Sequence, residues 1–348
     1  MSSWTFKKWV FWILFLASVL AVAAGVAVTV GAVWIPLGKS GSIFLHYLAG
    51  RGGAPEGLDR EAAILLELRV PRVASGALVG AALALCGAVL QALLRNPLAD
   101  PYVLGISSGA ALGAVLAILF GLGSIALGAY AVPVAAFSGA LLTLLFVYFL
   151  ARVQGRVPAQ TMLLAGFIVS AFFLAIIMFL ISWTSDERLF QVTFWLMGNL
   201  EYMASKPLGG IFLYLLIGSA VLFSRAKDLN LAALGEETAS ELGVEVERLK
   251  KITFVSASLI TGAVVSVSGL IGFVGLVVPH LVRMIWGPDH RFLLPGSALA
   301  GAILLVLADT IARTVLAPSE VPVGVITALG GAPFFVYLLR RRGLGGNS

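Results

Sequence analysis

The chain has 348 residues, of which 60% are hydrophobic and 11% charged, and its mean hydropathy is +1.03. A soluble domain carries about 25% charged residues, so a water-soluble multidomain protein is excluded. The net charge of +6 does not point to nucleic acid either, because the basic residues fall in short connections between apolar segments, where membrane topology accounts for them.

Lys7 and Lys8 precede an apolar stretch from Trp9 to Val33. It is longer than the roughly 7–15 residues of a signal-peptide core and has no small-residue cleavage site, so it is expected to remain as the first span. Further apolar segments fall at 73–94, 103–121, 125–150, 160–182, 207–224, 252–271, 273–286, 293–313 and 322–339. Most supply the about 20 residues that cross the hydrocarbon as a helix. The eighth, 273–286, is short and holds Pro279, which predicts a broken or tilted helix. The pattern predicts an all-α polytopic membrane protein of about ten transmembrane helices, one domain over 1–348, with no soluble part large enough for an active site.

Placing the N-terminus inside and alternating the spans puts 15 of the 23 basic residues on the inner side, with Lys39, Arg51, Arg60, Arg69, Arg72, Arg188, Lys206 and Arg313 outside. The positive-inside rule favours that orientation, with both termini cytoplasmic. Segments two to five then start outside and seven to ten inside, so any internal repeat is an inverted one.

Two connections are long. The outer one, 34–68, is rich in glycine and charge, including Glu56, Asp59, Glu61 and Glu67. The inner one, 225–251, alternates charge with Leu234, Ala239 and Leu242 and ends its acidic run (Glu236, Glu237, Glu241) at Gly243. That reads as a short amphipathic helix at the membrane surface with Gly243 as its C-cap.

Gly76 and Gly80, and Gly105, Gly109 and Gly113, recur at four-residue spacing and predict close helix packing. Gly105-Ile-Ser-Ser-Gly109 has the nucleophile-elbow pattern, which would make Ser107 a hydrolase nucleophile. That motif needs a strand–turn–helix setting with a histidine and an acid, whereas here it opens an apolar helix. Gly38-Lys39-Ser40 resembles the end of a phosphate-binding loop, but Val33 stands where the first glycine is required. His46, His280 and His290 show no ligand spacing, and the lone Cys86 excludes a disulfide framework or a multi-cysteine metal site.

Carboxylates are almost missing from the spans, which weakens an ion-coupled carrier; the exception, Asp309, can pair with Arg313 at i,i+4. Arg69 and Arg72 flank Pro71 at the head of the second span, and Arg313 ends the ninth. Positive charge there runs against the topological bias. It points to an acidic soluble partner docking outside, or else to lipid phosphates or pairing with Glu67 and Glu320.

Arg69-Val-Pro-Arg72, Gly87-Ala-Val-Leu-Gln91, Asn96-Pro-Leu-Ala-Asp-Pro-Tyr-Val-Leu-Gly-Ile-Ser-Ser-Gly-Ala110, Gly235-Glu-Glu-Thr-Ala239, Gly269-Leu-Ile-Gly-Phe-Val-Gly-Leu-Val-Val-Pro-His280, Asp289-His-Arg291 and Ala308-Asp-Thr-Ile-Ala-Arg313 together closely resemble the permease subunits of bacterial ABC importers for iron–siderophore complexes, haem and vitamin B12. The resemblance implies a type II importer permease in the inner membrane, in contact with lipid, with helices 2–5 and 7–10 as the inverted repeat, paired with a second copy of itself. Two ATPase subunits would carry ATP and magnesium, this chain would bind no cofactor, and an extracytoplasmic binding protein would deliver cargo. It also implies that Gly235, Glu236, Glu237, Ala239, Leu242 and Gly243 couple to the ATPase, and that Arg69, Arg72 and Arg313 meet the binding protein. Asn96, Pro97, Leu98 and Ala159 match the inner gate. Nothing in the resemblance selects among siderophore, haem and cobalamin. An ion-coupled carrier working alone, or an intramembrane enzyme using Ser107, are the alternatives.

Overall fold

The computed structural model describes residues 6–31, 33–49, 57–102, 104–152, 157–184, 186–200 and 209–344; Arg51, Glu56, Arg156 and Lys206 lie outside the described residues. Among the described residues there are helices and turns and no strand. The helices are α1 (Phe6–Thr29), α2 (Leu37–Leu48), α3 (Asp59–Leu93), α4 (Ile106–Phe120), α5 (Ser124–Ala151), α6 (Ala159–Ser182), α7 (Asp186–Leu196), α8 (Gly209–Ser224), α9 (Ala226–Ala232), α10 (Glu236–Glu241), α11 (Val246–Ser268), α12 (Val274–Trp286), α13 (His290–Ala312) and α14 (Val323–Leu344). Helices α1, α3, α5, α6, α11 and α13 are long and apolar enough to cross a membrane, and α4, α8, α12 and α14 are shorter apolar helices on the remaining predicted segments.

Three features depart from the sequence expectation. The connection 34–68 is largely helical: it contains α2 and the first turns of α3. Ile35, Ile43, Ala62 and Leu65 bury one face of it in a small apolar cluster, while the charges look outward. Such a mixed composition averages to a loop in any hydropathy window. α3 passes through a π-helical stretch, Ile64–Arg69, immediately before Pro71, where the missing proline N–H would otherwise interrupt the ladder. The second feature, α7, was not foreseen. It follows α6 and buries Val192 against Ala111, Val115, Leu119 and Ile177.

The third feature concerns Pro279, which does not break its helix: α12 is continuous around it. A proline inside a helix leaves the carbonyl four residues earlier without a donor, here that of Gly275. Gln91 of α3 supplies the donor, its Nε2 reaching the Gly275 carbonyl at 3.4 Å and the Leu276 carbonyl at 3.1 Å. Its Oε1 in turn accepts from Arg283 at 3.0 Å. A polar side chain on one span thus completes the backbone of another, as hydrocarbon requires.

α3 is the axis of the molecule. From Val79 to Leu94 nearly every residue is buried, against α13, α11 and α12. The closest approaches are made by glycines: a β-carbon on Gly80 would collide with the carbonyl of Gly301 on α13, and one on Gly87 with that of Gly275 on α12. Gly109 and Gly113 of α4 meet Gly139 and Ala135 of α5 in the same way, whereas Gly76 has more room, with Leu200 at 3.4 Å. Missing side chains at those crossings let backbones pack tightly where lipid offers no hydrophobic drive between helices.

Candidate functional site

The bundle has two polar ends. At one end the connection between α8 and α11 folds as two short helices, α9 and α10; α10 is the short helix expected to end at Gly243, and α9 precedes it. Gly235 (φ +137°) makes the corner between them, and Gly243 (φ +87°) ends α10. The Val244 N–H donates to the Ala239 carbonyl (2.9 Å) and the Gly243 N–H to the Ser240 carbonyl (3.0 Å). This is a Schellman cap, which requires the left-handed residue that glycine supplies.

Ala239 is fully buried and seats α10, while Glu236, Glu237, Leu242 and Gly243 are exposed. Leu234, at 67% exposure, and Leu242, at 57%, flank α10 as two apolar knobs with Glu237 between them in sequence. Glu236 is held by Lys250 at 2.6 Å and faces Arg95 at 3.9 Å.

The first of the two helices is anchored from the opposite direction. Asn230 Nδ2 donates to Asp289 at 2.8 Å, and its Oδ1 accepts from the His290 backbone N–H at 2.8 Å and sits 2.7 Å from His290 Nδ1. Asp289 also caps α13 and accepts from the Arg291 guanidinium at 2.6 Å. Burial acts to raise the Asp289 pKa, but the combined bonds from Arg291 and Asn230 outweigh it and hold the carboxyl at about 2. Arg291 lies 4.7 Å over the Trp9 ring, which brings α1 to the same cluster.

The turn after α3 lies at this end too. The Asn96 side chain accepts from the Leu98 N–H at 2.9 Å, an Asx turn that fixes Asn96-Pro97-Leu98. Leu98 is exposed, and Ala159, at the start of α6, shares with Leu93 and Leu94 a cavity of about 20 Å³. The residues that match the inner gate are therefore brought to the end that carries α9 and α10.

At the far end stands the arginine cluster, where the pairing alternative holds for Glu320 and the i,i+4 pair of Asp309 with Arg313 forms. Arg69, Arg72 and Arg313 are 5%, 9% and 6% exposed. Arg72 grips Asp309 through Nε (3.0 and 3.1 Å) and reaches Glu320 at 2.7 Å. Arg313 meets Asp309 at 3.4 Å and donates to the Ala27 carbonyl. Arg69 donates to the carbonyls of Val28 (2.8 Å), Thr29 (2.9 Å) and Val33. The physical reason is that α1 ends there with unpaired carbonyls, which five-donor guanidiniums satisfy. The three arginines therefore staple α1, α3 and α13 together. Glu67 takes no part in this cluster among the described residues. Three guanidiniums against Asp309 and Glu320 leave one positive charge, and Arg69 has no carboxylate partner among the described residues.

Ser107 is 1% exposed, and its hydroxyl has no hydrogen-bond partner among the described residues, so no base stands ready to activate it. No group of three or more His, Cys, Asp or Glu that could hold a metal occurs among the described residues. Behind the loop that joins α11 to α12 lies an apolar cavity of about 390 Å³, walled by Phe190, Phe194 and Trp195 of α7, Val132 and Ile118.

Sequence reasoning missed Asn230, Arg95 and Lys250. Asn230 could have been singled out as the lone amide of α9, but its partner lies 59 residues away.

Comparison with known proteins fits this geometry. The FecCD transport family matches residues 9–341. The cobalamin import system permease protein BtuC of Halobacterium salinarum is 44% identical over 93% of this chain and 86% of its own. The hemin transport system permease protein HmuU of Yersinia pestis is 44% identical over 80% and 84%. The solved structure of an inward-facing metal-chelate type ABC transporter superposes with a TM-score of 0.78 at 31% identity, covering 95% of this chain and 99% of that one.

Proposed function

This chain belongs to the FecCD transport family, and from that premise we propose that α9 and α10 receive the stroke of partner ATPase subunits and pass it to the gate turn after α3. The class follows from membership. The chain is a multi-pass inner-membrane permease of a binding-protein-dependent ABC importer for iron–siderophore, haem or vitamin B12; it is not an enzyme, and ATP is hydrolysed on separate subunits.

The observation that carries the coupling reading is the exposed, unpartnered surface of α10. Leu234 and Leu242 leave water only if a partner covers them, and the helix beneath is pinned by Ala239, Lys250 and the Asn230 latch. Force applied to Gly235, Glu236, Glu237, Leu242 or Gly243 therefore meets a rigid mount. This end is then cytoplasmic, as are both termini, and ATP with its magnesium sits on the partners. Residues 1–348 act as one permease domain.

The pathway forms between two copies. α5 and α6 leave most of their most apolar stretches unburied within one chain, which supports pairing of that face with a second copy and with lipid. At the arginine end, docking of the binding protein works through the field of the net positive cluster rather than through free guanidiniums.

The test uses permease reconstituted in vesicles with its ATPase and binding protein, measuring cargo uptake beside ATP hydrolysis. Glu237→Arg, or deletion of 235–242, is expected to abolish uptake per ATP while the protein remains folded in the membrane. Undiminished uptake removes the coupling assignment. Uptake by the permease alone, without ATPase subunits, would replace it with an ion-coupled carrier.

A further inference from the structure

Arg95 is the residue that the fold's own energetics do not explain. It follows α3 in the left-handed region, at φ +46°, where a side chain bearing a β-carbon is strained and glycine is not. The capping pattern around it is that of a glycine-terminated helix: the Asn96 N–H donates to the Gln91 carbonyl and the Arg95 N–H to that of Ala92, both at 3.2 Å. Its guanidinium faces Glu236 of α10 at 3.9 Å, with side chains 44% and 46% exposed. A solvated pair of that kind contributes little to folding. A strained backbone has thus been accepted for a contact that adds almost nothing to stability.

What the contact does is bridge two elements that nothing else in the described structure joins so directly. On one side is α10, held through Glu236 also by Lys250 at 2.6 Å. On the other is the Asx turn, closed by the Leu98 N–H on the Asn96 side chain at 2.9 Å and joined directly to Arg95 along the backbone. Behind Arg95, Gln91 ties the same backbone to the carbonyls of α12 and to Arg283. A displacement of α10 is therefore delivered to the turn and not absorbed by the end of α3.

We propose that Arg95 is a positioning residue that links the ATPase-facing helix α10, through Glu236, to the Asn96–Leu98 turn. The proposal rests on the reading of α10 given above, and adds to it the route by which motion leaves that helix.

Three substitutions separate this role from a structural one, because backbone strain and charge change independently. Arg95→Gly relieves the strain and removes the charge, Arg95→Gln keeps the strain and removes the charge, and Arg95→Lys keeps both. Each is reconstituted with ATPase subunits and binding protein. Cargo moved per ATP is measured with labelled cobalamin, haemin or a ferric siderophore, whichever the wild type carries, beside the unfolding temperature of the purified permease.

The expected result is that Arg95→Gly unfolds at or above the wild-type temperature and yet moves about fivefold less cargo per ATP, the lower end of ordinary coupling between sites. Arg95→Gln falls by a similar factor, and Arg95→Lys stays near wild type. Wild-type yield in both the glycine and glutamine variants overturns the proposal. If deletion of 235–242 abolishes uptake in the same vesicles while Arg95→Gly does not, only the link fails. If the deletion too is silent, the reading of α10 fails with it.

Discussion

Gln91→Leu removes the one side chain that stands in for the backbone donor Pro279 lacks, and its cost can be built from the contacts. Gln91 is 3% exposed, so no water replaces it. Interhelical hydrogen bonds in membranes average about 0.6 kcal/mol, with about 1.7 as the upper end of direct measurements, and bonds to charged groups contribute roughly 1.5–3 kcal/mol. Losing the donor to the Gly275 and Leu276 carbonyls and the acceptor for Arg283 should therefore destabilise the protein by about 2–5 kcal/mol. Pro279→Ala restores an N–H to the Gly275 carbonyl, so in that background the same Gln91→Leu change should cost about 1 kcal/mol less. The Arg283 contact is lost in both backgrounds and cancels. Reversible unfolding of the four proteins in mixed micelles, followed by circular dichroism, measures the coupling. Equal costs in the two backgrounds, within about 0.5 kcal/mol, would refute the claim that Gln91 substitutes for the proline's missing donor.

Gly80→Ala drives a β-carbon into the Gly301 carbonyl, backbone against backbone, and should cost about 1–3 kcal/mol. Gly330→Ala has open space around it and should cost nothing measurable, so thermal unfolding in detergent compares the two directly. Asp289, held at about 2 against an ordinary 3.8, binds its proton less readily folded than unfolded. Its contribution is complete above pH 3.8 and fades as pH falls toward 2. Asp289→Asn should flatten the acid limb of a stability–pH curve in that window, and an unchanged limb would contradict the assignment. Glu320 is 40% exposed and is the accessible one of the two carboxylates in the arginine cluster. Glu320→Gln raises its net positive charge without opening the core. It should tighten docking of an acidic binding protein at low salt, with the gain vanishing at high salt; weaker or salt-independent docking would contradict a field-driven contact.

The spans were legible from the chain alone because hydrocarbon imposes two demands that composition records: apolar side chains, and backbone groups satisfied within the segment. That is why the predicted segments meet α1, α4–α6, α8 and α11–α14 within a few residues at most ends. The family signatures were legible for a different reason, as contiguous strings around Asn96, Gly235 and Asp289. Gly243 could be read as a cap because the left-handed position it fills is a local requirement.

Amphipathic elements could not be read this way. α2, α7 and the first turns of α3 bury one face against residues distant in sequence, and the average of their two faces looks like a connection. Pairings across the fold were equally hidden: Arg72 meets Asp309 across 237 positions, and Asn230 meets Asp289 across 59. Local reasoning put the arginines at the ends of spans and left docking, lipid and carboxylate pairing open, because charge at a span's end fits all three. The tertiary structure buries them because three helices converge there and the carbonyls of α1 need donors. Pro279 stays helical for the same kind of reason, since the donor it lacks comes from another span. Side-chain chemistry along the chain decides what must enter the membrane; which polar groups then satisfy one another depends on which helices are neighbours, and only the folded arrangement decides that.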